Sequence, residues 1–331
     1  MTDIVGTTPV GVRDFTPDMA ADFYQLQSAL TGTFEANGFQ RVLTPAFELA
    51  HVFERGLSSA EASRLLRFVD PQNGEVLTLR SDITPQIARL IAGPMAHVKA
   101  PVRLCYFGRV FRLREHLEFQ RRELAQAGVE LIGPPGADAD AEVIRVCADS
   151  LEAADVRQCH FSLGHVGILH AALGGLDISD TEAQELRALL LKKDAAGVKS
   201  LGIKRGIAGD RLDALVSLCT LYGTPDDVME RASIELACIP NVGQYIARIQ
   251  EILAVLKGHN CTQNMVLDLG EMLGFGYYTG FVFHVYIASN GEAIASGGRY
   301  DTLIAKYGRD IPAAGFAIDE EGLTETQHRE R

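Results

Sequence analysis

Apolar residues at Phe23, Leu26, Leu30 and Phe34 follow the three- and four-residue spacing of one helix face. Thr16-Pro17-Asp18 precedes this stripe as a helix start should: a hydroxyl able to cap, then a proline whose missing N–H is not needed in the first turn. Asn37-Gly38 ends it. The period then shortens to two. Arg41-Val42-Leu43 predicts a short strand. Leu66-Arg-Phe-Val69 and Val76-Leu-Thr-Leu79 flank Asp70-Pro-Gln-Asn-Gly74, which predicts a hairpin. Asp82-Ile-Thr-Pro85 opens another helix, with Asp82 or Thr84 as its cap. Val102 to Arg112 and Leu124 to Ile132 read as two strands joined by a charged loop, and Gly133-Pro-Pro-Gly136 breaks the chain before a helix from Asp138 to about Ala154.

His160-Phe-Ser-Leu163 predicts a strand, and Gly164 leads into an apolar helix. From 176 to 258 Leu, Ala, Lys and Glu dominate and the strand pattern stops, which predicts a helical insertion. Strands return at Met265 to Leu269, Tyr278 to Ile287 and Ala293-Ile294. Gly297-Gly298 is expected to precede a helix from about Tyr300, Ala313 to Ile318 to form a last strand, and 324–331 to be a frayed polar tail. Hairpins separated by long helices predict an α+β fold: a mainly antiparallel sheet flanked by helices. The core is expected over 1–175 and 259–323, interrupted by the insertion.

The chain has 331 residues, 47% of them hydrophobic, enough to bury a large core. Its net charge of −12 argues against a nucleic-acid partner, because proteins that hold nucleic acid carry basic surfaces. Cys105, Cys147, Cys159, Cys219, Cys238 and Cys261 include no Cys-x-x-Cys pair; they read as reduced cysteines of a cytoplasmic protein, with no metal site. Met1-Thr-Asp-Ile-Val has no basic segment followed by an apolar run, and no stretch approaches the roughly 18 apolar residues of a membrane span, so neither a leader nor a membrane partner is expected.

Five segments carry candidate chemistry. Gly274-x-Gly276-x-x-x-Gly280 lacks the dinucleotide spacing and precedes a strand, so its glycines point to close backbone approach. Beside it, Tyr277 and Tyr278 read equally as core aromatics or as ligand contacts. Arg103, Arg109, Arg112, Arg114, Arg121 and Arg122 crowd one hairpin, interleaved with Glu115, Glu118 and Glu123. That cluster is either a solvated tip of weak ion pairs or an anion site, since guanidinium binds phosphate and carboxylate bidentately. Alternation puts Gln126 and Glu130 on one strand face with Leu124 and Gly128. A carboxylate facing inward needs a partner, either an internal cation or a cationic ligand. Leu79-Arg-Ser-Asp82-Ile-Thr84-Pro-Gln86 and Gly297-Gly-Arg-Tyr-Asp301 each place polar groups at a strand-to-helix junction.

Taken in their order along the chain, the segments resemble the catalytic core of the class II histidyl-tRNA synthetases. Gly11-Val-Arg-Asp14 with Pro17 resembles their N-terminal signature, Phe111-Arg112 with Arg122 to Glu130 their motif 2, and Ala314-Gly-Phe-Ala317 the approach to motif 3. Gly276-Tyr-Tyr-Thr-Gly280 resembles their histidine-binding signature. The resemblance implies that Asp82, Thr84 and Gln126 receive the ammonium of histidine, that Glu130 and Tyr278 with Tyr277 read its imidazole, and that Arg112 meets its carboxylate. The departures matter as much. Leu273 stands at the family's histidine-specific arginine, Gly276 at its acidic position, Phe119 at a motif 2 glycine, and Gly322 at the arginine that holds ATP phosphates. Losing one preorganised cation at a phosphoryl centre costs roughly 3 kcal/mol. A site lacking two should bind without reacting.

The sequence ends at Arg331, so no anticodon-reading domain and no tRNA partner are expected. Leu79 to Arg89 and Phe161-Ser-Leu-Gly-His-Val-Gly167 are more similar to a branch of this family, the regulatory subunits of ATP phosphoribosyltransferase. That resemblance implies a non-catalytic subunit without cofactor, homodimeric within a hetero-oligomer. Its partner would be a short catalytic subunit performing the first step of histidine biosynthesis, and free histidine its feedback effector. A truncated histidine-adenylating enzyme is the alternative.

Overall fold

The computed structural model describes residues 8–330 except 114–120, 157, 208, 272–275 and 288–290. Arg114, Glu115, Glu118, Phe119, Leu273 and Gly274 therefore lie outside the described residues. The chain begins with helix α1 (Pro17–Ala36), capped by Thr16, whose Oγ1 accepts from Met19 N. Leu26, Leu30 and Phe34 form its buried stripe. Strands β1 (Gln40–Arg41) and β2 (Phe47–Leu49) lead into α2 (Ala50–Gly56) and α3 (Ser59–Ala62). The hairpin β3 (Arg67–Val69) and β4 (Val76–Leu79) forms around Asp70, whose carboxylate accepts from Gln72 N at 2.9 Å while its backbone bonds Gly74 and Glu75. Helix α4 (Thr84–Ala92), the long strands β5 (Val102–Phe111) and β6 (Glu123–Ile132), and α5 (Ala137–Ala153) follow.

Strand β7 (Cys159–His165) and α6 (Val166–Leu173) precede the helical segment. That segment holds α7 (Asp180–Leu191), α8 (Ala195–Lys204), α9 (Asp210–Ser217), the two-residue strand β8 (Tyr222–Gly223), α10 (Pro225–Glu235) and α11 (Val242–Leu256). The chain finishes with β9 (Met265–Asp268), β10 (Phe281–Ile287), β11 (Ala295–Arg299), β12 (Ala313–Asp319) and α12 (Glu320–Glu330).

Among the described residues, nine strands form one sheet in the order β1-β5-β6-β12-β11-β10-β7-β9-β8, in which only the β1–β5 and β7–β9 pairs are parallel, so it is mainly antiparallel. A small antiparallel sheet, β2-β4-β3, stands beside it. The period of two divides each central strand between two cores. Ala127, Val129 and Leu131 face the helices, in a cluster that includes Phe34, Val143, Cys147, Phe161 and Phe283. Leu124 and Ile132 face the other way, toward Ile83, Ile87, Leu104 and Tyr106. The helical segment shares the first core: Leu190, Val198, Leu215, Val228 and Ile249 belong to the same buried cluster as Phe161 and Leu163 of β7.

Four local expectations fail for physical reasons. Neither Asp82 nor Thr84 caps α4; Ile83 holds the cap position and makes no side-chain bond. The Asp82 and Thr84 side chains are committed elsewhere, as described below. The strand placed at Ala293-Ile294 runs instead from Ala295 to Arg299. It includes Gly297 and Gly298, because β10 and β12 on either side satisfy their backbone groups. After Tyr300 there is only a single 3₁₀ turn, Ile304–Tyr307. The expected polar tail continues α12, held by Arg13 bonding to Glu325 and by Gln327 bonding to Ala154 O.

Candidate functional site

The face of the sheet away from the insertion is bare at its centre. Register places Gly128 of β6 opposite Ala317 of β12 and Glu130 opposite Gly315; Ser296 and Gly298 of β11 lie opposite Ala317 and Gly315. These small residues leave room that others fill. A Cβ on Gly315 would overlap Glu130 Oε2, and one on Gly298 would sit 2.9 Å from the Tyr278 ring. Above this floor is a cavity of about 40 Å³ lined by Asp82, Thr84, Arg112, Gln126, Glu130, Tyr277, Tyr278, Ser296, Tyr300, Gly315, Phe316 and Ala317.

All seven residues singled out from sequence line this one cavity. They come from four places in the chain: the β4–α4 junction, the end of β5, strand β6, and the turn before β10. Glu130 is 1% exposed. Thr84 Oγ1 donates to Glu130 Oε1 at 2.7 Å, and the Tyr300 hydroxyl donates to Oε2. No arginine pairs with this carboxylate among the described residues, so the internal-cation reading gives way to hydroxyl partners. Asp82 is equally buried. Its Oδ1 accepts from Ile83 N and its Oδ2 from the Tyr277 hydroxyl, both at 2.8 Å. Arg112 Nε donates to Ser81 O at 2.7 Å, which holds the guanidinium at the cavity wall. Gln126 Oε1 is buried with no hydrogen-bond partner among the described residues.

Burial dominates the electrostatics. Desolvation pushes the Glu130 carboxyl up to about 8, with Asp82 adding to the rise and the Tyr300 and Thr84 hydroxyls opposing it. Asp82 is also raised by burial, with Arg112 as the main opposing influence. Burial raises the phenols of Tyr277, Tyr278 and Tyr300 as well, so they remain neutral donors. Burial thus disfavours the charged forms of Glu130 and Asp82 alike.

Sequence reasoning missed Tyr300, although it belongs to the quoted segment Gly297 to Asp301. Assigning that stretch to a helix start concealed that a strand delivers Tyr300 to the cavity rim. Ser296, Gly315, Phe316 and Ala317 also line the cavity, small or apolar residues whose type does not signal a site. The arginine cluster divides. Arg112 faces the cavity, whereas Arg103 pairs with Glu142 at 2.8 Å, Arg109 with Glu321 at 3.0 Å, and Arg121 with Asp319. Among the described residues no group of three or more His, Cys, Asp or Glu side chains is placed to hold a metal, and no helix is long and apolar enough to cross a membrane.

Residues 11–323 match the family model of histidyl-tRNA synthetase. Three similar curated proteins are named ATP phosphoribosyltransferase regulatory subunit. That of Syntrophotalea carbinolica is 35% identical over 94% of this chain and 72% of its own length. That of Anaeromyxobacter dehalogenans is 37% identical over 97% and 91%. That of Geobacter sulfurreducens is 34% identical over 96% and 72%. Among solved structures, an ATP phosphoribosyltransferase regulatory subunit/histidyl-tRNA synthetase from Bacillus halodurans superposes with a TM-score of 0.87 at 29% identity, over 97% of this chain and 83% of that one. A histidine–tRNA ligase subunit from Alicyclobacillus acidocaldarius gives 0.83 at 26% identity, over 98% of both.

Proposed function

This chain belongs to the histidyl-tRNA synthetase family, and we propose that within it the chain serves as the regulatory subunit of ATP phosphoribosyltransferase. In this reading it is not itself catalytic. It acts in the cytoplasm with a short catalytic subunit in the first step of histidine biosynthesis, binds free histidine as feedback effector, and contacts no tRNA.

The observation that carries the histidine part is the convergence of two buried carboxylates, one guanidinium and three phenols on one cavity. Asp82, Thr84 and Gln126 receive the ammonium; Glu130, Tyr277 and Tyr278 read the imidazole; Arg112 meets the carboxylate. About 40 Å³ admits only a few waters, so histidine enters by displacing contacts such as Tyr300–Glu130 and Tyr277–Asp82. Charge-assisted bonds at roughly 1.5–3 kcal/mol each, less the ordering of these side chains, support micromolar to millimolar affinity. Feedback then requires that the histidine-bound form couple differently to the catalytic subunit.

Self-association has its own support. Phe47 and Phe68 meet edge to face, with ring centroids 6.1 Å apart, on the small sheet, yet remain 53% and 41% exposed. With Val69 and Val76 also exposed on this sheet, the pair supports the small sheet as the face for self-association.

Calorimetry with histidine on the parent, Glu130→Ala and Gln126→Ala tests the pocket. Unchanged affinity in both variants refutes the assignment. Copurification with a short phosphoribosyltransferase, and its activity with and without this chain, tests the partnership. Histidine-dependent pyrophosphate–ATP exchange by this chain alone would instead establish an adenylating enzyme.

A further inference from the structure

Arg299 stands between Gly298, which lies under the Tyr278 ring, and Tyr300, which donates to Glu130. The period of two turns its side chain away from the cavity, to the helix side of the sheet, where it is 5% exposed. Its backbone and stem nevertheless support the turn that carries the cavity tyrosines. Arg299 O accepts from Thr279 N at 2.7 Å, and Thr279 Oγ1 accepts from Asp301 N at 2.9 Å. A Cβ on Gly280 would come 3.0 Å from Arg299 Cβ, so the residues after Tyr278 rest directly on this side chain.

The guanidinium itself is held unevenly. Nε and Nη2 both bond Oδ1 of Asp140, on α5. A guanidinium facing a carboxylate ordinarily takes one oxygen per nitrogen. The other oxygen, Oδ2, makes no hydrogen bond among the described residues and faces Arg248 Nη1 at 3.6 Å. Arg248 belongs to α11 of the helical segment. About one turn earlier on α11, Tyr245 packs against His165 with ring centroids 4.9 Å apart, and its ring covers Gly167. Val166, between those two, donates to Gly280 O at 3.0 Å. Helix α11 therefore reaches both supports of the tyrosine turn without lining the cavity.

We infer that Arg248 is a positioning residue for the amino-acid cavity: by drawing Asp140 Oδ2 toward α11 it fixes Arg299, and through Arg299 the turn that carries Tyr277 and Tyr278. Without Arg248, Asp140 turns Oδ2 toward Nη2 and pairs with Arg299 through both oxygens. The guanidinium shifts, and the turn resting on it shifts too. The consequence for histidine rests on the function proposed above; the consequence for the tyrosines does not.

Fluorine NMR of the full chain labelled with fluorotyrosine reads the rings directly, with resonances assigned by Tyr277→Phe and Tyr278→Phe. Arg248→Met keeps the aliphatic stem and removes the charge, and Arg248→Lys keeps the charge. Val228→Ala, in the buried core of the same helical segment, controls for general loosening. Thermal melts confirm folding. Arg248→Met should move both resonances and weaken histidine binding in calorimetry about fivefold or more. Arg248→Lys should restore most of both, and Val228→Ala should change neither. Unmoved resonances, an affinity within about twofold of a histidine-binding parent, a lysine variant no better than methionine, or the same changes in Val228→Ala overturns the inference. Resonances that move while no protein binds histidine, the parent included, uphold the positioning and refute the histidine assignment instead.

Discussion

Replacing Glu130 with glutamine isolates the energetic consequence of burying that carboxyl. In the unfolded chain a glutamic acid titrates near ~4.3. In the folded protein desolvation raises Glu130 to about 8. Between these values the folded state keeps a proton that the unfolded state has released. The stability contributed by this group is complete below the lower value and is lost as pH rises through the higher one. The slope is about 1.4 kcal/mol per pH unit, so the loss is on the order of 4 kcal/mol by neutrality. Glutamine is neutral throughout, and its carbonyl can accept from Thr84 while its amide faces Tyr300, the two partners of the carboxyl. Urea unfolding at several values between about pH 5 and about pH 8 reads the effect. The parent should lose stability relative to Glu130→Gln by about 1 kcal/mol for each unit of pH. Parallel profiles for the two proteins would show that Glu130 is ionised in the folded state and would refute the reasoning.

Other substitutions probe other parts of the argument. Gly315→Ala drives a methyl into Glu130 and Val129 O, and should destabilise by roughly 1–3 kcal/mol in chemical denaturation while removing histidine binding. Asp140→Ala leaves the Arg299 guanidinium, which is 6% exposed and bonded to Asp140 at 2.6 Å, without its main partner; a loss of about 3–5 kcal/mol is expected. Arg248→Ala, at the half-exposed end of the same cluster, should change stability by less than about 1 kcal/mol. Ile249→Ala should cost about 2–5 kcal/mol and leave a single unfolding transition by calorimetry, because α11 shares the core of the large sheet. Phe47→Lys with Phe68→Lys should shift the chain to a monomer in light scattering, with helical content unchanged.

What the sequence disclosed, and what it hid, follows from where the information resides. Periodicity located α1, α5, β5 and β6 because each buries one continuous face. It lost the boundary of β11, where Gly297 and Gly298 have no side chain to alternate and their strand identity comes from the neighbours β10 and β12. The capping residues near α4 were misread because Asp82 and Thr84 answer to partners far along the chain: Tyr277 and Glu130. Those separations also explain why the seven site residues could be named from resemblance yet not assembled by spacing. The sequence leaves Tyr277 and Tyr278 open between core aromatic and ligand contact; Tyr277 is 4% exposed and packs against Tyr300 as a core aromatic does, and it also lines the cavity.

The cavity is defined as much by missing side chains as by those present. Strands β6, β12 and β11 bring Gly128, Gly315, Ala317, Ser296 and Gly298 to one patch of the sheet, flanked by pairs whose opposite faces carry full-sized core residues such as Val129, Phe316 and Phe283. Bulk on one face and none on the other makes a stiff floor that cannot collapse upward, since its backbone is hydrogen-bonded on both sides. Tyr106, Tyr278 and Tyr300 fill part of that space as neutral phenols, and the Tyr300 hydroxyl donates to Glu130. A guest therefore competes with hydroxyl groups already in place. On the proposed reading, the ammonium of the entering amino acid supplies the positive charge that a phenol cannot, and binding depends on exchanging those hydroxyl contacts for charge-assisted ones.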